Sequence, residues 1–193
     1  VFAAADTVEG VKALYRRIMD TIGGRITRWP RNRRLGPRFH FHRGLEKELL
    51  LLAEKLKGGG SWFVRFLKNP EIKKFTASRE AFAPLASAFT PDHIVYAGSD
   101  PLFIDSAGGL EEALKARIQK TGGLPKVIAV KGAGVFGLGG SEKAAKNAAE
   151  LFNDAVKVAV YAESFGGGRV MPEDQIRFIN NWEVERYRAA VAR

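Results

Sequence analysis

Apolar residues recur at helical spacing from the start of the chain. Val11, Leu14, Tyr15, Ile18 and Ile22 fall on one face of residues 8–22, which predicts an amphipathic helix. Asp6 and Thr7 supply N-cap oxygens. Gly23-Gly24 is expected to end the helix through a left-handed glycine. Residues 45–57 predict a second helix, stopped by Gly58-Gly59-Gly60. Residues 61–66 and 81–89 read as further short helices on either side of Pro70. The pattern then changes. Residues 93–96 predict a short strand entered through Thr90-Pro91-Asp92, and 102–104 form a second short apolar piece. Residues 110–120 are an amphipathic helix closed by Gly122-Gly123. The β-branched run over 126–130 predicts a strand buried on both faces. Residues 132–140 read as a glycine loop. Ser141 then caps a long helix reaching about Ser164, with Glu142 placed where negative charge suits the helix dipole. Gly166-Gly167-Gly168 ends that helix, and Met171-Pro172-Glu173-Asp174 opens a helical segment continuing through Trp182 and Tyr187. The order predicts an α/β fold, a central sheet flanked by helices with an N-terminal helical appendage. The expected division is a tail helix, basic linker and helix over residues 1–60, then a C-terminal α/β domain over 61–193.

Two stretches echo one another. Val1-Phe2-Ala3-Ala4-Ala5-Asp6-Thr7 leads into a helix, and Val135-Phe136-Gly137-Leu138-Gly139-Gly140-Ser141 does the same at identical spacing. Lys12 then matches Lys146, and Asp20 matches Asp154. The echo is either a true repeat or two ordinary capped junctions.

Composition narrows the chemistry. The chain has 193 residues, enough for one domain plus an appendage, and no cysteine. Disulfide and thiol chemistry are therefore excluded, and a reducing, cytoplasmic setting is the expectation. No apolar run nears the ~20 residues that span a bilayer; residues 156–162 are interrupted by Lys157. Val1 in place of Met suggests that something preceded it. A net charge of +10 favours an anionic partner. Seven arginines, from Arg25 to Arg43, crowd one short stretch with Trp29, Pro30, Gly36 and Pro37. That stretch could bind RNA by charge and stacking, but without any other nucleic-acid module it reads as a connection whose partner surface is missing.

Few motifs carry chemistry. Gly132-Ala133-Gly134-Val135-Phe136-Gly137 satisfies G-x-G-x-x-G between a strand and a helix. Three more residues intervene before the Ser141 cap, however, and Asp154, at the spacing of the ribose-binding acid, lies inside the helix. A dinucleotide is not expected. A phosphate is the milder candidate, held at the helix start and its approach by Lys131, Gly132, Gly134, Gly139, Gly140 and Ser141. His40 and His42 could share a face, but the flanking arginines would repel a metal, and no metal site is predicted. His93 is a candidate for a small-molecule site, or a structural hydrogen bonder.

Several segments together resemble a known family. They are residues 90–96 (Thr-Pro-Asp-His-Ile-Val-Tyr), 101–105, 125–130, 134–139 (Gly-Val-Phe-Gly-Leu-Gly) and 162–167 (Ala-Glu-Ser-Phe-Gly-Gly). From about Phe89 onward they are similar, in order and spacing, to the second domain of large class II aldolase/adducin-family proteins, such as rhamnulose-1-phosphate aldolase/alcohol dehydrogenases. Residues 1–26 resemble the segment that comes after a zinc-ligating His-Gly in that family. The resemblance implies a lyase parent in which zinc would polarise the ketone of a sugar phosphate. This chain would be its C-terminal, non-catalytic part, lacking the zinc histidines and binding no cofactor itself. An upstream aldolase domain and a homo-oligomer are the implied partners; nucleic acid and membrane are not. If the echo is real, residues 131–134 stand where a zinc histidine would be, and the second copy has lost its ligand. The other open reading is a phosphate- or nucleotide-binding α/β domain using residues 132–141.

Overall fold

A computed structural model describes residues 3–31, 40–184 and 187; for residues 40–42 only the backbone is described. Helix α1, Val8–Gly23, begins at Thr7, whose side chain accepts from the Gly10 amide, and buries none of its residues. Its end differs from expectation, because Gly24 stays right-handed at φ −65°. Helix α2, His40–Lys57, stops where Gly58, Gly59 and Gly60 all take positive φ.

Residues 61–66, expected to be helical, instead lead into strand β1, Phe63–Leu67. Five residues of alternating exposure on a sheet edge suit a strand, and tertiary pairing decided what local pattern left open. Short helices α3, Pro70–Phe75, and α4, Arg79–Phe82, follow, each capped by a side chain, Asn69 on the Ile72 amide and Ser78 on the Ala81 amide. A 3-10 turn over Ala83–Leu85 shortens the helix expected over 81–89. The strand expected at 93–96 is a π-helical turn, His93–Ala97. Its apolar residues are buried as predicted, but a short apolar run does not discriminate strand from helix.

Strand β2, Leu102–Ile104, leads through helix α5, Leu110–Thr121, to strand β3, Val127–Val130, and so completes a parallel pair. Gly122 closes α5 in the left-handed conformation, as expected. The largest departure comes next. Residues 132–140 are no loop: Gly134–Gly139 form strand β4, buried at every position. β4 lies between β1 and β3 and pairs antiparallel with both, in the order β1-β4-β3-β2. A three-residue connection with Gly132 at φ +70° joins β3 to β4, the left-handed position of a tight hairpin.

Helix α6, Glu142–Ala162, crosses the sheet, with Ser141 capping the Ala144 amide. The alternation of β4 explains how closely it lies. Phe136 and Leu138 pack with Leu49, Leu110, Leu114 and Ile128 beneath α2 and α5. Val135 faces the other way with Phe152 and Val156 of α6. Gly137 and Gly139 share that second face. A Cβ on Gly137 would stand 2.3 Å from the Ala145 carbonyl oxygen, and one on Gly139 would stand 2.7 Å from the Ala144 Cβ. The glycines are where helix backbone meets strand backbone, and Ala144, Ala145, Ala148 and Ala149 complete the seam. Helices thus cover both faces, as the α/β expectation required. α2 belongs to one of these layers, with Leu49 and Ala53 fully buried. Helix α7, Glu173–Asn181, packs Ile179 against Ile94 and Val95 of the π turn. It breaks at Trp182, which is extended, rather than running unbroken to Tyr187.

The basic link is not bare where it is described. Arg28 pairs with Glu71 and Glu163, the latter at 2.8 Å. Glu71 also accepts from the Arg31 amide at 3.0 Å, and Trp29 sets its ring edge-on to Tyr161. Glu71 is 1% exposed, and a carboxylate so buried needs these partners. The acidic complement expected on a missing partner is therefore, for Arg28, inside the chain. Residues 32–39, and the side chains of His40 and His42, lie outside the described residues. No helix among the described residues is long and apolar enough to cross a membrane.

Candidate functional site

The proposed phosphate residues do not converge. β4 separates Gly134 from Gly139 by about 17 Å. Lys131 and Gly132 sit at the hairpin tip, and their amides already donate inward, Lys131 to the Ile104 carbonyl and Gly132 to that of Thr76, both at 2.9 Å. Gly134 is pressed against Phe66, leaving no room for a ligand there. A phosphate loop over residues 132–141 is therefore replaced by a hairpin tip, a buried strand and a helix start. Only Gly139, Gly140 and Ser141 remain together.

That end of the sheet holds a pocket of about 420 Å3. It opens where β3 begins, β4 ends and β1 begins, and the first turns of α6 and the π turn close its sides. Trp62, Leu124, Pro125, Leu138 and Ala144 give it an apolar wall. Tyr96, Lys126, Asn147 and the Gly139-Gly140 backbone are its polar part. Lys126 is held in place, with its Nζ donating to the Val95 carbonyl and its stem lying over the Gly98 backbone. Gly98 has φ +84° and completes the π turn that presents Val95 and Tyr96. π turns of this kind frequently occur at functional sites. The Trp62 Nε1 is buried and has no hydrogen-bond partner among the described residues.

His93 lies outside this pocket, although its neighbours Val95 and Tyr96 line it. Its side chain is 3% exposed, and Nε2 stands 3.5 Å from Asp154 Oδ2. Nδ1 is buried without a partner among the described residues. Burial holds the imidazole pKa below its ordinary value, against the opposing pull of Asp154. Lys157 also approaches Asp154, at 3.5 Å. Asp154 thus faces a histidine and a lysine from inside α6 and has no ribose-binding position.

Zinc does not fit the described residues. No group of three or more His, Cys, Asp or Glu side chains that could hold a metal occurs among the described residues, and His93, with one carboxylate and a lysine beside it, supplies no tetrahedral set. Of residues 131–134, where the echo would place a lost zinc histidine, Gly134 has no room for a side chain, because a Cβ there would stand 2.8 Å from the Phe66 ring. These residues support no reaction step through zinc.

Comparison with known proteins shows what part of this arrangement is similar to. Residues 112–188 match the model described as aldolase class II, second domain. This region, less than half of the chain, is similar to the second domain of class II aldolases. The matched stretch runs from α5 through β3, β4, α6 and α7, the units that carry the glycine seam and one wall of the pocket. Among solved structures, an aldolase II superfamily protein from Pseudomonas syringae matches with a TM-score of 0.50 at 12% identity, over 80% of this chain and 61% of that one. At that identity the likeness is one of fold, and the chain spans about three-fifths of the other's length. A search of curated proteins gave no match. The family resemblance and the α/β architecture read from the sequence are therefore shown. The signal that sequence reasoning missed was the alternation of glycine with large apolar residues in 135–139, set against alanines three and four apart in the following helix.

Proposed function

We propose that the chain is the C-terminal, non-catalytic part of a class II aldolase-type enzyme. The observation that carries this reading is the match of residues 112–188 to the second domain of that family. The parent would be a lyase performing zinc-dependent aldol cleavage of a sugar phosphate of the rhamnulose or fuculose 1-phosphate type, in the cytoplasm. The zinc ligands and the acid/base residue would come from an upstream aldolase domain. This chain would contribute packing, oligomer contacts or enclosure of the substrate. The donor set supports that division, because the described side chains offer a salt-bridged framework and a mostly apolar pocket rather than a cluster of titratable groups.

The test is aldol cleavage of rhamnulose 1-phosphate by this chain with added zinc, beside the full-length parent. The expected result is turnover by the parent, abolished by a chelator, and none by the chain. Zinc-dependent turnover by the chain alone would overturn the non-catalytic assignment. A parent inactive on every sugar phosphate tried would overturn the lyase assignment.

A further inference from the structure

We propose that the pocket between Trp62, Leu124 and the start of α6 binds a small uncharged molecule with a flat apolar body and an amide or lactam edge. Three features carry the proposal. The first is the cavity, at about 420 Å3 within the range of small-molecule sites. Trp62, Leu124, Pro125, Leu138 and Ala144 make most of its wall apolar. A polyhydroxylated ligand would leave hydroxyls facing that wall, and each unpaired polar group is costly. A flat ring system has no such cost, and the Trp62 indole adds an aromatic surface to the wall.

The second is the charge balance. Among the described residues no carboxylate lines the cavity. The two ionisable side chains that do, Tyr96 and Lys126, are both engaged within the chain, and Lys126 donates to the Val95 carbonyl. A ligand cation would lie near Lys126 with no counter-charge. A ligand anion would have to draw Lys126 away from partners it already holds. Taking an ion out of water on those terms is costly, so the cavity selects a neutral molecule.

The third is Asn147. It lines the cavity from the second turn of α6, and its carboxamide has no partner among the described residues. A carboxamide has one acceptor oxygen and two N–H donors. An amide or lactam edge presents the same acceptor and donor reversed, so the two can pair through two hydrogen bonds. Gly140 also borders the cavity, and a Cβ there would meet nothing within 4 Å. That exposed border is open for a ligand to enter.

The proposal does not rest on the aldolase reading, and a sugar phosphate is not its ligand. The test uses the full chain with 2-naphthamide, methyl 2-naphthoate and 2-naphthoate as probes, followed by calorimetry and backbone amide NMR. The expected result is saturable binding of one naphthamide per chain, with shifts at Gly139, Gly140 and Asn147. The ester keeps the acceptor and lacks the donor, and the carboxylate carries a charge. Each should bind about tenfold more weakly than the amide. Asn147→Leu should leave the unfolding midpoint no lower and weaken naphthamide about tenfold. The proposal fails if naphthamide shows no saturable binding, or if the carboxylate binds as tightly. It also fails if Asn147→Leu binds naphthamide as well as the wild-type chain does, or if the shifts fall on α1 or α7.

Discussion

Helices α1 and α6 start from the same local grammar and end in opposite surroundings. Each follows a Val-Phe segment at identical spacing, and each is capped by a hydroxyl on the amide three residues on, Thr7 on Gly10 and Ser141 on Ala144. Both carry an apolar stripe. α6 buries eight residues, among them Phe152, Val156 and Val160. α1 buries none, and Val8, Leu14, Tyr15, Met19 and Ile22 are all exposed. The difference lies in what precedes the cap. Residues 135–139 form a strand whose glycines admit the helix, whereas residues 3–5 form no strand. An amphipathic stripe encodes a need for a partner surface, and only in α6 does the described chain supply it.

The comparison breaks most sharply at the seam. Gly137→Val must push its Cβ against the Ala145 carbonyl oxygen and the Ala149 amide, backbone atoms that cannot rotate away. We expect a loss of at least about 3 kcal/mol, at the upper end for overpacked cores, and no cooperative urea transition if the seam cannot open. Gly23→Ala in the last turn of α1 is the control. Nothing lies within 4 Å of that Cβ, and the change should stabilise by about 0.5–1 kcal/mol through helix propensity. Equal midpoints for the two variants in a urea melt would show that the seam is not what fixes α6.

The second test concerns how α1 is tethered. The segment after it is fastened by Arg28 to Glu71 and Glu163, with Thr27 on Ser164. Arg28→Ala leaves the buried Glu71 with the Arg31 amide as its one partner among the described residues. A loss of about 3 kcal/mol is expected, the low end for breaking a buried pair, because a third of the Arg28 side chain remains in water. Chemical denaturation measures it; a change within about 0.5 kcal/mol would mean that the link is ornamental.

The reading of the sequence succeeded where a single period ran long and failed where two periods met. α1, α5 and α6 were legible from spacing and caps, and β3 from its unbroken β-branched run. β1 and the π turn at His93 were misread because five apolar-rich residues satisfy either geometry until a neighbour is present. β4 was misread for a different reason. Glycine at every second position signals a loop in isolation, and only the Ala144, Ala145, Ala148 and Ala149 ridge reveals why a buried strand would need it. The same error gathered Lys131, Gly132 and Gly134 with Gly139, Gly140 and Ser141. A loop would have curled those residues around one anion, but an extended strand holds them at opposite ends. The pocket was not legible at all, since Trp62, Tyr96, Lys126 and Asn147 come from four separate segments.

A smaller effect is expected from pH. His93 contacts Asp154 of α6 and Phe89, with Asp92 beside it and Lys157 on the far side of Asp154. Its folded pKa is lowered, by burial first. The unfolded chain therefore takes up the proton more readily, so this contribution to stability is complete above the ordinary value of 6.5 and declines as pH falls below it toward the folded value. Unfolding free energies measured from pH 8 to 5 should fall on acidification. His93→Gln should flatten that slope while leaving the chain folded at pH 8. A wild-type slope unchanged by the substitution would assign it to the carboxylates instead.

The smallest expected effect on the fold lies on the exposed face of α1, and there the absence of an effect is the informative result. A Leu side chain contributes about 1.5–3 kcal/mol when fully buried, but Leu14 is 37% exposed and Ile22 41%, so in a single copy of the chain they have little to lose. Leu14→Asp with Ile22→Asp should shift the unfolding midpoint of the isolated chain by no more than about 0.5 kcal/mol, as surface changes do. The same two residues form part of the apolar stripe that we propose packs either on an upstream aldolase domain or on a second copy. Sedimentation equilibrium separates the two. Concentration-dependent association of the wild-type chain, absent in the double variant, assigns the stripe to pairing between copies. A wild-type monomer throughout leaves the upstream domain as its occupant, and linking that domain should then make the same substitutions costly. A large loss of stability in the isolated chain would contradict both, because it would mean that α1 is already packed within the chain, as α6 is.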